Sequence, residues 1–243
     1  VLITEHGQPS AYLVDVDESF IEPASELLKK YNFDSDRWEP KVANATNLPF
    51  KDKSFDFILC QGVLHHVGDE RKALSEINRV LVPGGKFFVA VTGSGGLIGD
   101  FVMKTMRDVY KENIAFKDFI DNEFNLENVH LLIKEIKNKI PNDKSKSYDS
   151  SQKFLDALLE LIDEDLLLTI EDRIFAPIYR QSTELEYRDR LSEAGFSSAY
   201  RVSKSPKFSN IRKIVSPFYK QSDNKIGKIL YGDGGMLSFV VSK

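Results

Sequence analysis

The sequence predicts an α/β fold: a doubly wound, mostly parallel sheet with a C-terminal antiparallel hairpin and a helical insertion. Over residues 11–91, short apolar runs rich in β-formers alternate with amphipathic helical patterns, which implies crossover connections between parallel strands. After Val91 the alternation gives way to a long helical stretch, about 97–165, and it returns near the C-terminus. With 243 residues and 42% hydrophobic side chains, the chain can fill the core of one large domain carrying an insertion. The expected division is 1–92 for an α/β core, 93–182 for a helical cap insertion and 183–243 for the rest of the core.

Taken in order, "AYLVDV" is the apolar run of a buried parallel strand. "ESFIEPASELLKKYN" follows as a helix, with Phe20, Ile21, Ala24, Leu27 and Leu28 near helical spacing. "PKVANA" and "FDFILCQ" read as further strands. "ERKALSEINRVL" is an amphipathic helix stopped by Pro83-Gly84-Gly85, which turn the chain into the strand "KFFVAV". Within the helical stretch, "PNDKSKSYDSS" marks a polar break. "TELEYRDRLSEAGF" is a helix closed by Gly195, followed by the strand-like "SAYRVSKS". In "KILYGDGGMLSFVVSK", Asp233-Gly234 marks the turn of the terminal hairpin.

Composition excludes several classes of function. Thirty-three Lys and Arg stand against 37 Asp and Glu, a formal net charge of −4, and no long basic run is present. A nucleic-acid partner is therefore disfavoured. One cysteine, Cys60, makes neither an internal disulfide nor a cysteine-rich metal centre, so no metal is expected and a reducing cytoplasmic location is. No apolar stretch is long enough for a membrane span, and "VLITEHGQPS" lacks the apolar segment of a signal peptide. Oligomeric state is not legible.

The stretches "DVDES", "ANATNLPFKDKSFDFILCQGVLHHV", "ALSEINRVLVPGGKFFVAV" and "LSEAGF" together resemble the class I S-adenosylmethionine-dependent methyltransferases, of the branch similar to the UbiE/type 11 small-molecule enzymes. The likeness is close over residues 11–92 and loose over the last sixty. It implies a Rossmann-like sheet, S-adenosyl-L-methionine as cofactor, S-adenosyl-L-homocysteine as product and a small or medium organic acceptor. The family also places a strand and a glycine-rich loop earlier. "VLITEHGQPS" instead reads as the tail of the helix after that loop, so strand and loop are either truncated or replaced.

In an open α/β sheet, ligands gather beyond the carboxyl ends of the strands. There the resemblance assigns cofactor binding to Asp17, Glu18, Asn44, Ala45, Gln61 and Gly62. A carboxylate at Asp17 can accept both ribose hydroxyls, although the same residue also suits a helix cap. Asn44 stands where the family carries an acidic residue near the adenine, and it also suits a turn. Leu48, Pro49 and Phe50 resemble an apolar shelf by the adenine, with core as the other reading of Phe50. Gln61 and Gly62 would meet the methionine part. His66 would accept the acceptor's proton, while His65 suits packing under the sheet.

Two other readings remain open. One is a non-catalytic, methyltransferase-like binding or assembly protein. The other is an NAD(P)-dependent short-chain dehydrogenase or epimerase, suggested by "VAVTGSGGLIGD" and by the spacing of Tyr200 and Lys204. It is the weaker, because no acidic strand end follows about 20 residues on, and Tyr200 and Lys204 lie in a strand-like segment, where positions four apart form no helical face.

Overall fold

The computed structural model describes residues 2–5, 10–30, 38–143, 145–202, 229 and 236–243. The alternation in the sequence becomes the strands β1 (Leu2–Glu5), β2 (Ser10–Asp15), β3 (Trp38–Val42), β4 (Phe55–Gln61), β5 (Leu81–Thr92), β6 (Ser198–Arg201) and β7 (Met236–Ser242). They form one seven-stranded sheet in the order β3-β2-β1-β4-β5-β7-β6. β2 is parallel to β3, and β4 to β5, whereas β1 and β7 are antiparallel to both of their neighbours. Hence β2 to β6 all run one way, and the carboxyl ends of β2, β3, β4 and β5 share one edge. The Rossmann-like α/β class stands. The Asp233-Gly234 hairpin turn lies outside the described residues.

One expectation is overturned at the N-terminus. Leu2–Glu5 is a strand, not the tail of a helix, and it lies between β2 and β4 with Leu2 opposite Leu13 on one side and Leu59 on the other. Two open strand edges offer this main chain a full set of partners.

The chain forms two compact units. The unit containing the sheet comprises Val1–Gly95, Ile178–Lys204 and Gly232–Lys243. Its helices are α1 (Glu18–Lys30), α2 (Glu70–Val80) and, further along the chain, α8 (Glu184–Glu193), with a short 3₁₀ turn at Leu64–His66. α2 buries Ala73, Leu74, Ile77 and Val80, a stripe at helical spacing packed in one core with Phe55, Ile58, Phe87 and Phe239. Fully burying one such side chain contributes about 1.5–3 kcal/mol. α1 is different: Ile21 is buried, but Phe20 and Leu27 are exposed.

Pro83, Gly84 and Gly85 do not precede β5; they form a bulge within it. Phe55 opposes Leu81 and Phe57 opposes Lys86, so the intervening residues are looped out of the ladder. Gly84 adopts φ +81°, and a β-carbon at Gly85 would sit 2.8 Å from Leu81 Cγ and 2.9 Å from the Val82 carbonyl oxygen. α8 begins with a capping box between Thr183 and Glu186 and is stopped, as expected, by Gly195 at φ +88°.

The second unit includes Gly96–Pro177. A π-helical segment, Leu97–Met103, leads into α3 (Lys104–Glu112), α4 (Ile114–Glu123), α5 (Leu126–Lys139), α6 (Lys146–Leu161) and α7 (Glu164–Phe175). The breaks carry side-chain caps: Asn113, Asn125 and Ser145 accept from the N–H groups of Phe116, Asn128 and Tyr148. Ser145 therefore restarts a helix inside the expected polar break. Buried Arg107 donates to the carbonyls of Arg173 and Ala176 at the end of α7. Among the described residues, no helix is long and apolar enough to cross a membrane.

Candidate functional site

β2 ends at Asp15, and the chain turns through Val16 and Asp17 into α1. Asp15 Oδ1 accepts from the Asp17 N–H at 3.0 Å, and Asp17 Oδ1 accepts from the Ser19 N–H at 2.9 Å. The Ser19 hydroxyl first, and then the Ser19 N–H, hold the Asp17 carboxyl below its ordinary value. Asp17 thus caps the helix. A carboxylate offers about four acceptor positions, so capping leaves capacity for further donors. Asp17 and Glu18 are both exposed.

β3 ends beside β2, with the Ala43 N–H bonded to the Asp15 carbonyl at 2.8 Å. Asn44 is a turn-former here: its Oδ1 accepts from both the N–H and the hydroxyl of Thr46 at 2.9 Å, and its carbonyl from the Asn47 N–H. Ala45 is half-buried, Leu48 is buried and Pro49 is exposed. Phe50 packs edge-on against Tyr12 and Phe55 at centroid distances of 5.0 and 4.8 Å, so part of the apolar shelf belongs to the core. Glu76 and Arg79 of α2 hold this loop. Glu76 accepts from the Leu48 N–H, and Arg79 donates to the carbonyls of Leu48 and Phe50. Sequence reading missed this pair, whose signal was an oppositely charged i,i+3 spacing on the polar face of α2.

β4 delivers Gln61, exposed and opposite Ala90, and then Gly62. The Gly62 N–H donates to the Ala90 carbonyl at 2.8 Å with φ +75°, a conformation that favours glycine. Among the described residues, no atom beyond Gly62 and its two chain neighbours lies within 4 Å of where a Gly62 side chain would begin. Gly62 therefore permits a ligand's close approach, and a sharp turn explains the residue equally well.

The histidines occupy the following 3₁₀ turn. His65 is buried, and His66 is half-buried with Nδ1 2.8 Å from the Ile178 carbonyl oxygen. A carbonyl only accepts, so Nδ1 carries the proton, and in the neutral ring Nε2 carries the lone pair. The Tyr179 ring lies 5.6 Å from His65 and 5.7 Å from His66. Arg180 donates its N–H to the His65 carbonyl and its guanidinium to those of Val67 and Gly68.

The glycine cluster after β5 is tied to the same returning segment. Gly93 bridges to Ser182, the Ser182 N–H donates to Thr92, and the Ser94 N–H donates to Ser182. Tyr200 is exposed on strand β6, and Lys204 lies outside the described residues. Among the described residues, nothing joins this cluster to a dehydrogenase-like Tyr–Lys pair.

Residues 2–89 match the family described as a methyltransferase domain. A 56-residue stretch is 43% identical to the probable tRNA methyltransferase 9B of Homo sapiens, covering 22% of this chain and 12% of that protein. A demethylmenaquinone methyltransferase of Staphylococcus haemolyticus is 33% identical over 111 residues, 46% of this chain and 41% of its own length. The solved structure of PKMT2 from Rickettsia typhi aligns with a TM-score of 0.54 at 16% identity, over 95% of this chain and 43% of that one. The chain spans less than half the length of the curated relatives it matches.

Proposed function

Residues 2–89 belong to the class I S-adenosylmethionine-dependent methyltransferases of the type 11 branch, and from that premise we propose that the protein methylates a small or medium organic acceptor. The observation that carries this is the shared edge. Asp17, Asn44 and the Gln61-Gly62 turn all leave the carboxyl ends of co-directional strands, where an open α/β sheet binds its ligand.

The residues fit a nucleoside-linked amino acid. Asp17 keeps acceptor capacity for ribose hydroxyls, with Glu18 beside it; Asn44 and Ala45 edge the adenine position. The open space at Gly62, next to Gln61, suits the methionine part. When bound, S-adenosylmethionine supplies an electrophilic methyl on a sulfonium and leaves as S-adenosylhomocysteine. The chain's own residues align the acceptor with that methyl, an effect worth up to about 7–11 kcal/mol. His66 Nε2 takes the proton of a hydroxyl or ammonium acceptor. The helical segment expected over 93–182 follows β5 in the chain, and the role proposed for its helices, Leu97–Met103 to Glu164–Phe175, is to exclude water from the reaction. The buried thiol of Cys60 suits a reducing cytoplasm.

The net charge of −4 and the lack of a basic run favour a small acceptor over tRNA. One feature favours the non-catalytic alternative: the "HGQP" between β1 and β2 is not glycine-rich. Incubation with methyl-labelled S-adenosylmethionine, small-molecule extracts and, separately, tRNA distinguishes these readings. Label in the small-molecule fraction is expected. Label confined to tRNA would overturn the acceptor class, and no transfer despite S-adenosylhomocysteine binding would favour the non-catalytic reading. Thermal stabilisation by NAD or NADP but not by S-adenosylhomocysteine would reinstate the dehydrogenase reading.

A further inference from the structure

We infer that residues 178–182 form a positioning strap that fixes the proton of His66 on Nδ1, leaving Nε2 as the basic nitrogen, and that Arg180 is the residue holding this strap in register. The catalytic consequence rests on the methyltransferase reading above; the tautomer does not.

The strap crosses the histidine turn with hydrogen bonds along its length. Its first carbonyl, that of Ile178, accepts from His66 Nδ1 at 2.8 Å. Two residues on, the Arg180 N–H bonds to the His65 carbonyl at 3.0 Å, and the guanidinium donates to the carbonyls of Val67 and Gly68, the two residues that follow the turn. One side chain thereby locks the main chain on the C-terminal side of His66, while its own N–H locks the N-terminal side. A planar fork with several donors is suited to holding two carbonyls at once.

The far end of the strap is fixed independently. The Ser182 N–H bonds to the Thr92 carbonyl at 3.2 Å, and the Ser182 carbonyl accepts from the Ser94 N–H at 2.8 Å, which ties the strap to the end of β5. Arg190 of α8 donates to Ser182 Oγ at 2.9 Å and to Glu70 at 2.8 Å. Glu70 is buried at the first turn of α2, just after the histidine turn. Both the strap and the segment it holds are therefore anchored to β5, α2 and α8. The Ile178 carbonyl cannot move away from His66 without breaking several of these bonds. The hydrogen bond made by one ring nitrogen decides what the other nitrogen can do, so in the neutral ring this geometry places the lone pair on Nε2.

The test is long-range nitrogen–proton NMR on 15N-labelled protein, at a pH where His66 is neutral. Wild type should show His66 with a proton-bearing Nδ1 and a lone-pair Nε2; a protonated Nε2 in wild type overturns the inference outright. In Arg180→Gln, both nitrogens should move towards intermediate shifts, and Arg180→Lys, which keeps one donor group, should restore part of the difference. A folded Arg180→Gln protein with an unchanged tautomer would remove Arg180 from the role. Turnover of that variant should fall roughly 10- to 100-fold, part of what a general base contributes, with S-adenosylhomocysteine affinity within twofold of wild type. If wild type shows the expected tautomer but binds no S-adenosylhomocysteine, the strap stands and the methyltransferase reading falls.

Discussion

Glu76 and Arg79, less than one turn apart on α2, form an ion pair at 2.8 Å whose remaining atoms hold the main chain of the loop between β3 and β4. Glu76 Oε2 accepts from the Leu48 N–H at 2.9 Å, and Arg79 reaches the Leu48 carbonyl, the Phe50 carbonyl and Asp52. Replacing Glu76 by Ala leaves a partly buried N–H without its acceptor. We expect a loss of about 1–3 kcal/mol in urea denaturation. A variant as stable as wild type would mean that the loop is held by its apolar contacts alone.

The same pair predicts an acid limb of stability. Hydrogen bonds from Arg79 first, then from Leu48, hold the Glu76 carboxyl below its ordinary value of 4.5. The unfolded chain therefore binds more protons than the folded one, so stability rises with pH across this window. The contribution is present above pH 4.5 and is lost as pH falls towards the depressed value. Unfolding free energy measured against pH should decline less steeply below 4.5 in Glu76→Gln than in wild type.

Cys60 is fully buried on β4, and burial pushes its thiol up to about 12. The thiolate is the nucleophile, so iodoacetamide at mildly alkaline pH should leave the native protein unmodified and label it completely in denaturant. Rapid alkylation of native protein would place Cys60 in a far more open environment.

Two glycines should respond differently to alanine. At Gly85 the added carbon meets the Val82 carbonyl oxygen at 2.9 Å, whereas at Gly68 the nearest atom is Ile178 Cδ1 at 3.8 Å, an ordinary contact. Gly85→Ala should cost about 1–3 kcal/mol, as overpacking does. Gly68→Ala should stay within about 0.5 kcal/mol of wild type. Equal effects in thermal denaturation would contradict the bulge geometry.

What was legible in the sequence followed from local periodicity. β4 emerged at the expected "FDFILCQ", and α2 and α8 at their expected patterns with Gly195 as the stop, because burial on one face and helix-ending chemistry are written in neighbouring residues. β1 was missed because four residues carry no period and its identity comes from partners at Leu13 and Leu59. The Pro83-Gly84-Gly85 bulge was read as a turn, since both need the same residues. Asp17 and Asn44 could be named from the ends of their strands. The strap could not: its bonds join residues 112 and 113 positions apart, and no local pattern marks such a pairing.

Calorimetric titration with S-adenosylhomocysteine, on wild type and Asp17→Ala, tests most directly that the strand edge binds the cofactor. Wild type should bind one equivalent saturably. Asp17→Ala, folded, should bind more weakly by about 1.5–3 kcal/mol, the scale of hydrogen bonds to a charged group. No binding to wild type, or equal affinity in both proteins, would contradict the account.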